Sequence, residues 1–205
     1  DLLSTRPSLP DLVTQPLVLG LWALVAYLLG SVSFGMIVSK RLGLGDLRQI
    51  GSGNICATNV LRTGNKLAAA LTLLLDAVKG VVPVLLARAS SAEDAAQVAA
   101  LAAFLGHCYP VWLRFKGGKG VATFLGVLLA LSWQVGVACC LTWLVMAVVS
   151  RRSSMASITA ASLCTLWMAY FDGFDMLGLG LALTFLVFLR HSENIKRLKA
   201  GTEPK

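Results

Sequence analysis

Several signatures of common protein classes are missing from this chain of 205 residues. Its 5 cysteines include no C-x-x-C pair, and an odd set in apolar surroundings predicts neither a disulfide framework nor a metal site. No G-x-x-x-x-G-K-[ST] segment occurs, so ATP hydrolysis on a P-loop is unsupported. The net charge is +8, yet the chain lacks the basic, aromatic-interleaved soluble face of a nucleic-acid-binding module. We therefore expect no metal, organic cofactor or nucleic-acid partner.

Apolar residues dominate the chain instead. They make up 57% of it, and the mean hydropathy is +0.76, whereas a soluble domain is usually about 45–50% apolar. A helix needs roughly 20 apolar residues to cross about 30 Å of hydrocarbon. The apolar runs are 16–40, 67–88, 95–113, 120–150, 154–171 and 176–190. This composition predicts an all-α, polytopic integral membrane protein.

The run 120–150 decides how many helices cross the membrane. As one helix it would be about 46 Å long, too long for a single span, whereas two helices would each be short, near 22 Å. With two helices, almost all Lys and Arg residues fall on one side, as the positive-inside rule requires. That side holds Lys40, Arg41, Arg48, Arg62, Lys66, Arg114, Lys116, Lys119, Arg151, Arg152, Arg190, Lys196, Arg197, Lys199 and Lys205.

Only Arg6 and Arg88 lie on the opposite side, and Lys79 lies within the membrane. This distribution predicts seven transmembrane helices, with the amino terminus outside and the carboxyl terminus in the cytoplasm. The predicted organisation is an extracytoplasmic lead over 1–15, a seven-helix membrane domain over 16–190, and a cytoplasmic tail over 191–205.

The first cytoplasmic segment, "RLGLGDLRQIGSGNICATNVLRTGNK" (41–66), combines glycines with hydroxyl, amide and guanidinium groups. Glycine lets backbone N–H groups approach an anion closely, and an Arg side chain fits phosphate. The alternative is a plain polar loop with two turns. The candidate anion-binding residues here are Gly51, Ser52, Gly53, Asn54, Thr58, Asn59 and Arg62.

A second cytoplasmic segment, "KGGKGVAT" (116–123), is a glycine-rich turn that leads into a predicted helix. The amino terminus of a helix favours anions through its dipole and its free N–H groups. The alternative is a tight interfacial turn whose lysines reach toward water. The candidate phosphate-binding residues here are Gly117, Gly118, Lys119, Gly120 and Thr123.

Further polar residues lie near the same face. His191 and Asn194 are three apart, so they share one face of a continued helix. His107 ends the third span, where a structural role is an equal alternative, and Ser157 near the start of the sixth span adds a hydroxyl. Asp76 and Lys79 lie three apart within the second span. They are either functional, as intramembrane charges often are, or a structural ion pair.

Four segments occur in order along the chain: "GSGNICATNVLRTGNK", "GHCYPVWLRFKGGKGVAT", "SSMASI" and "RHSENIKRLKAGTEP". Together they resemble the signature sequences of the bacterial acyl-phosphate:glycerol-3-phosphate acyltransferases, the PlsY family. The similarity extends from about residue 17 onward. Two differences stand out, because Cys56 replaces a common Gly and Ser33 replaces a frequent Pro. The segment before Pro16 has no obvious counterpart in the family.

The resemblance implies a seven-helix enzyme of the bacterial cytoplasmic (inner) membrane that takes acyl phosphate and glycerol 3-phosphate as substrates. It would work in the lipid bilayer as a monomer without a cofactor, and release 1-acyl-glycerol 3-phosphate and inorganic phosphate. By motif, the resemblance assigns catalysis or substrate binding to Ser52, Arg62, Lys119, Ser157, His191 and Asn194. It assigns phosphate-holding loops to the glycines of "GSGN" and "GGKG".

Two other classes of protein share some of these features. A transporter of organic phosphate would also surround an anion with cationic side chains, but would usually have repeated halves and ionisable groups near the membrane midplane. An acyl-CoA-dependent acyltransferase is expected to carry an H-x-x-x-x-D pair, but Trp112 and Lys196 follow the two histidines at that spacing. The transporter is the stronger alternative.

Overall fold

The computed structural model describes residues 12–51, 53–171 and 174–204. All regular structure in these ranges is helical. The α-helices are α1 (Pro16–Gly30), α2 (Phe34–Arg41), α3 (Ala57–Leu61), α4 (Lys66–Ser90), α5 (Glu93–Cys108), α6 (Val121–Leu131), α7 (Trp133–Ser150), α8 (Ser153–Phe171), α9 (Leu177–Arg190) and α10 (Ser192–Lys199). Short 3-10 turns occupy Leu47–Gln49 and Val111–Leu113. The prediction of an all-α protein is confirmed for the described residues.

Five helical segments are long and apolar enough to cross a membrane. They are Pro16–Arg41, Lys66–Ser90, Glu93–Leu113, Trp133–Ser150 and Ser153–Phe171, and α6 and α9 are shorter apolar helices. These segments correspond to the seven predicted ones. That all seven cross the membrane, and in which direction, stays a prediction. Of the predicted lead over 1–15, residues 1–11 lie outside the described residues.

The run 120–150 is divided at Ser132, in agreement with the predicted hairpin. Arg88 stabilises this break because its guanidinium group donates to the carbonyl oxygens of Ala130 and Leu131, the latter at 2.8 Å. The same group pairs with Glu93 at 2.7 Å. The last carbonyl groups of a helix have no partner within the helix, so Arg88 supplies one at the end of α6.

The first apolar run is also broken, although the sequence predicted one continuous span over 16–40. α1 ends at Gly30 and α2 begins at Phe34. Groups from elsewhere in the fold satisfy the break: Lys79 Nζ donates to the Val32 carbonyl at 2.7 Å, and Trp112 Nε1 donates to Ser31 Oγ at 2.6 Å. Because both donors come from distant parts of the chain, the local sequence did not reveal the break.

The helices from α4 onward alternate in direction, so their ends collect into two groups. One end holds the Arg88–Glu93 pair and Thr14, whose hydroxyl donates to Asp94 Oδ1 at 2.6 Å. The opposite end holds the amino ends of α4, α6 and α8 and the carboxyl ends of α5, α7 and α9. All the polar segments singled out in the sequence follow or precede helices at this second end.

Small side chains allow the helices to pack closely in the interior. Ala26 on α1 lies against buried alanines of α5, and Gly30 approaches the backbone of Ala103 so closely that a β-carbon would overlap it. Such close contacts are typical of membrane helices. A larger core around Phe104, Phe124 and Met168 joins α4, α5, α6, α7, α8 and α9. Many large apolar side chains on the outer surface, such as Phe185, are exposed, as lipid-facing residues are.

Candidate active site

A cavity of about 970 Å³ opens among the helix ends of the second group. Its lining combines polar and apolar side chains. The polar lining residues are Thr58, Arg62, Lys66, Asp76, His107, Lys119, Arg151, Ser153, Ser154, Ser157, His191, Asn194, Arg197 and Glu203. The larger apolar lining residues are Leu61, Leu73, Leu125, Trp143 and Val148. This combination suits a ligand with an anionic head and a hydrocarbon chain.

A chain of charge-assisted hydrogen bonds crosses the cavity. Lys119 Nζ donates to Asn194 Oδ1 at 2.6 Å, and Asn194 Nδ2 donates to Glu203 Oε1 at 2.6 Å. The same carboxylate accepts from Ser154 Oγ at 2.6 Å and from Arg197 Nε at 2.7 Å. Since a carboxylate only accepts, the Asn194 amide group must turn its NH₂ toward Glu203 and its oxygen toward Lys119. Glu203 therefore fixes the orientation of the Asn194 amide and, through it, the position of the Lys119 amine.

The environment shifts two pKa values in this network. Burial lowers the pKa of Lys119, although the negative charge of Glu203 opposes the shift. Burial alone would raise the pKa of Glu203, but hydrogen bonds from Ser154, Asn194 and Arg197 outweigh it and hold the pKa below its ordinary value. Glu203 is thus a carboxylate at neutral pH.

His191 lies where α9 ends, and its ring is buried. Its Nδ1 is 2.8 Å from the Val187 carbonyl oxygen. Because that oxygen can only accept, we assign the ring proton to Nδ1, which leaves a lone pair on Nε2. Burial lowers the pKa of His191 to about 4, so the ring is neutral at physiological pH. His191 can accept a hydrogen bond from a ligand hydroxyl but is a weak base.

The glycine-rich turn has a different role at Gly117 and Gly118 than the sequence predicted. Their N–H groups donate to the carbonyl oxygens of Cys108 (3.1 Å) and His107 (3.2 Å), and their own carbonyls accept from Arg190 at 3.0 and 3.1 Å. Those amides are therefore not available to phosphate. A β-carbon on Gly118 would overlap His107 Nε2, so both glycines permit close packing.

The end of the same turn faces the cavity. Gly120 has a positive φ of 80° and directly precedes α6, and the first residues of α6, Val121 and Ala122, line the cavity beside Lys119. The amino terminus of α6 therefore opens onto the site. Thr123 does not line it, because its buried hydroxyl donates to the Asp76 carbonyl at 2.8 Å. A phosphate contact of Thr123 would require its hydroxyl to leave the Asp76 carbonyl, and it stays a prediction.

The residues that follow the "GSGN" segment (51–54) approach the site. Thr58 and Arg62 line the cavity. Asn59 is buried and instead holds the loop, since its Nδ2 donates to the carbonyl oxygens of Leu47 (2.8 Å) and Ile50 (2.9 Å). Gly51 and Gly53 have positive φ angles of 51° and 68° and shape the turn. Asn54 is not among the residues that line the cavity, and Ser52 lies outside the described residues.

Two further predicted residues, Ser157 and His107, both line the cavity. The Ser157 hydroxyl donates to the Ser153 carbonyl at 2.7 Å and accepts from Trp143 Nε1 at 3.1 Å. These two bonds fix the position of the Ser157 oxygen beside Trp143. His107 is buried at the inner wall, near Asp76.

Comparison with known proteins agrees with this geometry. The family model described as glycerol-3-phosphate acyltransferase matches residues 20–201. The chain belongs to the glycerol-3-phosphate acyltransferase family. A glycerol-3-phosphate acyltransferase of Ruegeria pomeroyi is 64% identical over 96% of this chain and 97% of its own. Another, of Cereibacter sphaeroides, is 57% identical over 96% of this chain and 94% of its own.

Two solved structures are also similar to this member of the glycerol-3-phosphate acyltransferase family. Both are crystal structures of PlsY (YgiH), an integral membrane glycerol 3-phosphate acyltransferase. The glycerol 3-phosphate form has a TM-score of 0.86 at 41% identity, and the lysophosphatidic acid form has 0.85 at 40%. Each match covers 91% of this chain and 94% of the other. The fold is thus that of an integral membrane acyltransferase.

Sequence reasoning missed several residues that shape the site of this acyltransferase. Glu203 is the main one: it is not among the residues singled out in the sequence, yet it is only 7% exposed. Its spacing from His191 and Asn194 along the sequence matches no helical repeat, so no periodicity pointed to Glu203. In the sequence prediction, Arg190 serves only as one of the cytoplasmic charges. In the structure its guanidinium group donates to the turn before Lys119 and lies 5.2 Å from the centre of the Tyr109 ring. The available signal was that both lie within the segment "RHSENIKRLKAGTEP".

Proposed function

We propose that this acyltransferase transfers a fatty acyl group from acyl phosphate to the 1-hydroxyl of glycerol 3-phosphate. The products are 1-acyl-glycerol 3-phosphate (lysophosphatidic acid) and inorganic phosphate, in the first step of bacterial phospholipid synthesis. The observation that carries the proposal is the excess of cationic side chains in a cavity with an apolar wall. These side chains are Arg62, Lys66, Lys119, Arg151 and Arg197.

The carboxylates of the cavity do not cancel this positive charge. Asp76 pairs with Lys79 at 2.8 Å, and Glu203 pairs with Arg197 at 2.7 Å. Arg62, Lys66, Lys119 and Arg151 remain in excess, enough to attract two phosphate groups. A donor and an acceptor that each carry a phosphate match this count. The apolar wall provides room for the acyl chain beside them.

Acyl phosphate is already activated, so the protein need not form a covalent intermediate. In the proposed step, the 1-hydroxyl oxygen of glycerol 3-phosphate attacks the carbonyl carbon of the donor. The bond between that carbon and the phosphate oxygen breaks, and the hydroxyl proton ends on the departing phosphate. Holding the two reactants together supplies much of the acceleration. Lys119 and Arg62 stabilise the negative charge that develops on the carbonyl and phosphate oxygens.

The low pKa of His191, about 4, supports proton transfer to the substrate phosphate instead of to this ring. A general base works best when its pKa lies near the working pH. We assign His191 Nε2 and Asn194 to orienting glycerol 3-phosphate. This assignment fails if His191→Ala changes neither turnover nor the KM for glycerol 3-phosphate.

The position of the cavity supports an active site on the cytoplasmic face of the inner membrane. The cavity lies at the helix ends where the predicted cytoplasmic Lys and Arg residues collect, while Arg88 lies at the other end. The positive-inside rule assigns the basic end to the cytoplasm.

The test is phosphate release by the purified protein in lipid, given palmitoyl phosphate with or without glycerol 3-phosphate. We expect release to require glycerol 3-phosphate, to yield lysophosphatidic acid, and to be lost in Lys119→Ala. Lys199→Ala is the matched control, since Lys199 is exposed on α10 outside the cavity. Activity with palmitoyl-CoA but not palmitoyl phosphate would show the donor to be wrong. Movement of labelled glycerol 3-phosphate across the membrane without acylation would indicate a transporter.

A further inference from the structure

Four buried polar side chains cluster at the inner end of the cavity, where α4, α5 and α6 meet, and two of them line it. They are Asp76, Lys79, His107 and Thr123, with exposed fractions of 2, 6, 5 and 0%. Charged groups within a membrane protein are costly and usually have a function. The proposed acyl transfer uses none of the four directly. Their contacts indicate what they contribute.

The cluster is anchored by an ion pair. Lys79 Nζ lies 2.8 Å from Asp76 Oδ1 and also donates to the Val32 carbonyl at 2.7 Å. It thereby ties α4 to the break between α1 and α2. His107 Nδ1 lies 3.8 Å from the same carboxylate oxygen. A paired and hydrogen-bonded charge of this kind fixes neighbouring groups in place.

Thr123 links the cluster to α6. Its hydroxyl donates to the Asp76 carbonyl at 2.8 Å and lies 3.3 Å from His107 Nδ1. Thr123 is in the first turn of α6, four residues after Lys119, so these contacts hold the end of the helix from which Lys119 extends. Since Thr123 is fully buried, it affects a substrate only through its neighbours.

The residues on both sides of Lys119 are held as well. The His107 ring lies against Gly118, where a β-carbon would overlap Nε2, and the Gly118 N–H donates to the His107 carbonyl. Gly120 lies against the Phe104 ring in the same way. The backbone around Lys119 is therefore packed against α5, and the cluster fixes the position of that packing.

We infer that Thr123 and His107, anchored by the Asp76–Lys79 ion pair, are positioning residues that hold the Lys119 amine in the cavity. The inference rests on the proposed role of Lys119. Thr123 and His107 act by placing the Lys119 amine, and they do not act by contacting the substrate. A displacement of about 1 Å caused by a remote substitution can cost an enzyme about 100-fold in rate.

Thr123→Val tests the inference because valine keeps the shape and removes the hydroxyl. We expect kcat/KM to fall about tenfold, part of what such a displacement can cost. Thr123→Ser restores the hydroxyl and should recover activity to within about twofold of the parent. Thr184→Val is the matched control: it removes an equivalent 2.8 Å bond, from Thr184 Oγ1 to the Ala161 carbonyl, between α9 and α8 away from the cavity. It should lower thermal stability without a loss of turnover.

A second readout does not depend on the acyl donor. Pyridoxal 5′-phosphate forms an imine with the free amine of a lysine, and borohydride reduction fixes the product for mass spectrometry. Labelling of Lys119 is measured relative to Lys66 in the same cavity. In Thr123→Val we expect this ratio to fall by about an order of magnitude, since each pKa unit that a released Lys119 regains changes its free-amine fraction tenfold.

The outcomes separate this inference from the proposed function. If the parent protein does not use palmitoyl phosphate, the donor is wrong, and the labelling ratio still tests the cluster. If Thr123→Val matches Thr184→Val in both turnover and labelling, the cluster is ordinary packing and the inference is overturned. Thr123→Ser as inactive as Thr123→Val would also overturn it. Should Thr123→Val not fold, His107→Asn, which removes the ring from Gly118, is read by the same criteria.

Discussion

Replacing Glu203 by Gln tests the hydrogen-bond network of the cavity most directly. Glutamine keeps the shape but turns one of the two acceptor oxygens into a donor NH₂ group. Glu203 accepts from Ser154, Asn194 and Arg197, so at least one donor then faces another donor. Hydrogen bonds to charged groups contribute about 1.5–3 kcal/mol, and the remaining ones lose their charge assistance. We expect the free energy of unfolding to fall by about 2–4 kcal/mol.

The same substitution should lower turnover. Without the carboxylate, the Asn194 amide can reverse, and its oxygen no longer faces the Lys119 amine. We expect kcat to fall about tenfold or more, comparable to the loss of a positioned group. Glutamate-to-glutamine substitution at Glu193 is the matched control, since that residue is exposed and pairs only with Lys196 among the described residues. Surface pairs of this kind contribute little.

The measurement combines thermal unfolding with glycerol-3-phosphate-dependent phosphate release in one detergent. The reasoning is refuted if Glu203→Gln behaves as Glu193→Gln in both assays. A loss of stability with unchanged kcat would show that Glu203 only anchors the carboxyl-terminal segment to the helices. Because hydrogen bonds hold the pKa of Glu203 below its ordinary value, its stabilisation is complete at neutral pH and is lost as the pH falls below about 4.

Three further predictions concern packing, pH and the distant end of the bundle. Gly118→Ala places a methyl group against the His107 ring and should cut kcat at least about tenfold by displacing Lys119, measured beside a thermal melt. The pKa of His191 is about 4 in the fold and about 6.5 unfolded, so stability should fall by about 3 kcal/mol between pH 7 and 4, and His191→Gln should flatten this dependence in pH-dependent melts. Arg88→Met leaves the last carbonyl groups of α6 without their donor and should lower the melting temperature while folded enzyme keeps its kcat.

Much of the helical architecture could be predicted because hydropathy and charge act locally. The apolar runs located the helices, and the Arg151–Arg152 pair indicated the hairpin before it, which the structure divides at Ser132. The break after Gly30 could not be predicted, because it depends on Lys79 and Trp112 reaching it from other helices. Such contacts exist only once the chain has folded.

The residues of the candidate site that could be predicted have charged or strongly polar side chains near the membrane surface. Lys119, Arg62, His191 and Asn194 do line one cavity. Small polar residues were harder, since their role depends on the partner that the fold provides: Asn59 binds loop carbonyls and does not line the cavity. Which of these residues bind substrate stays a prediction.

The contact between α6 and α4 places the start of α6 well along the length of α4. Thr123 contacts the carbonyl of Asp76, ten residues from the start of α4, and ten helical residues span about 15 Å. If α4 crosses the membrane as we propose, its length of about 37 Å exceeds a hydrocarbon core of about 30 Å by only a few ångströms, and Lys119 would then lie below the membrane surface. Each methylene group lifted from lipid into water costs about 0.8 kcal/mol. In the proposed reaction, a site at this depth would let the soluble anion reach the lipid, so that the acyl chain stays in the bilayer.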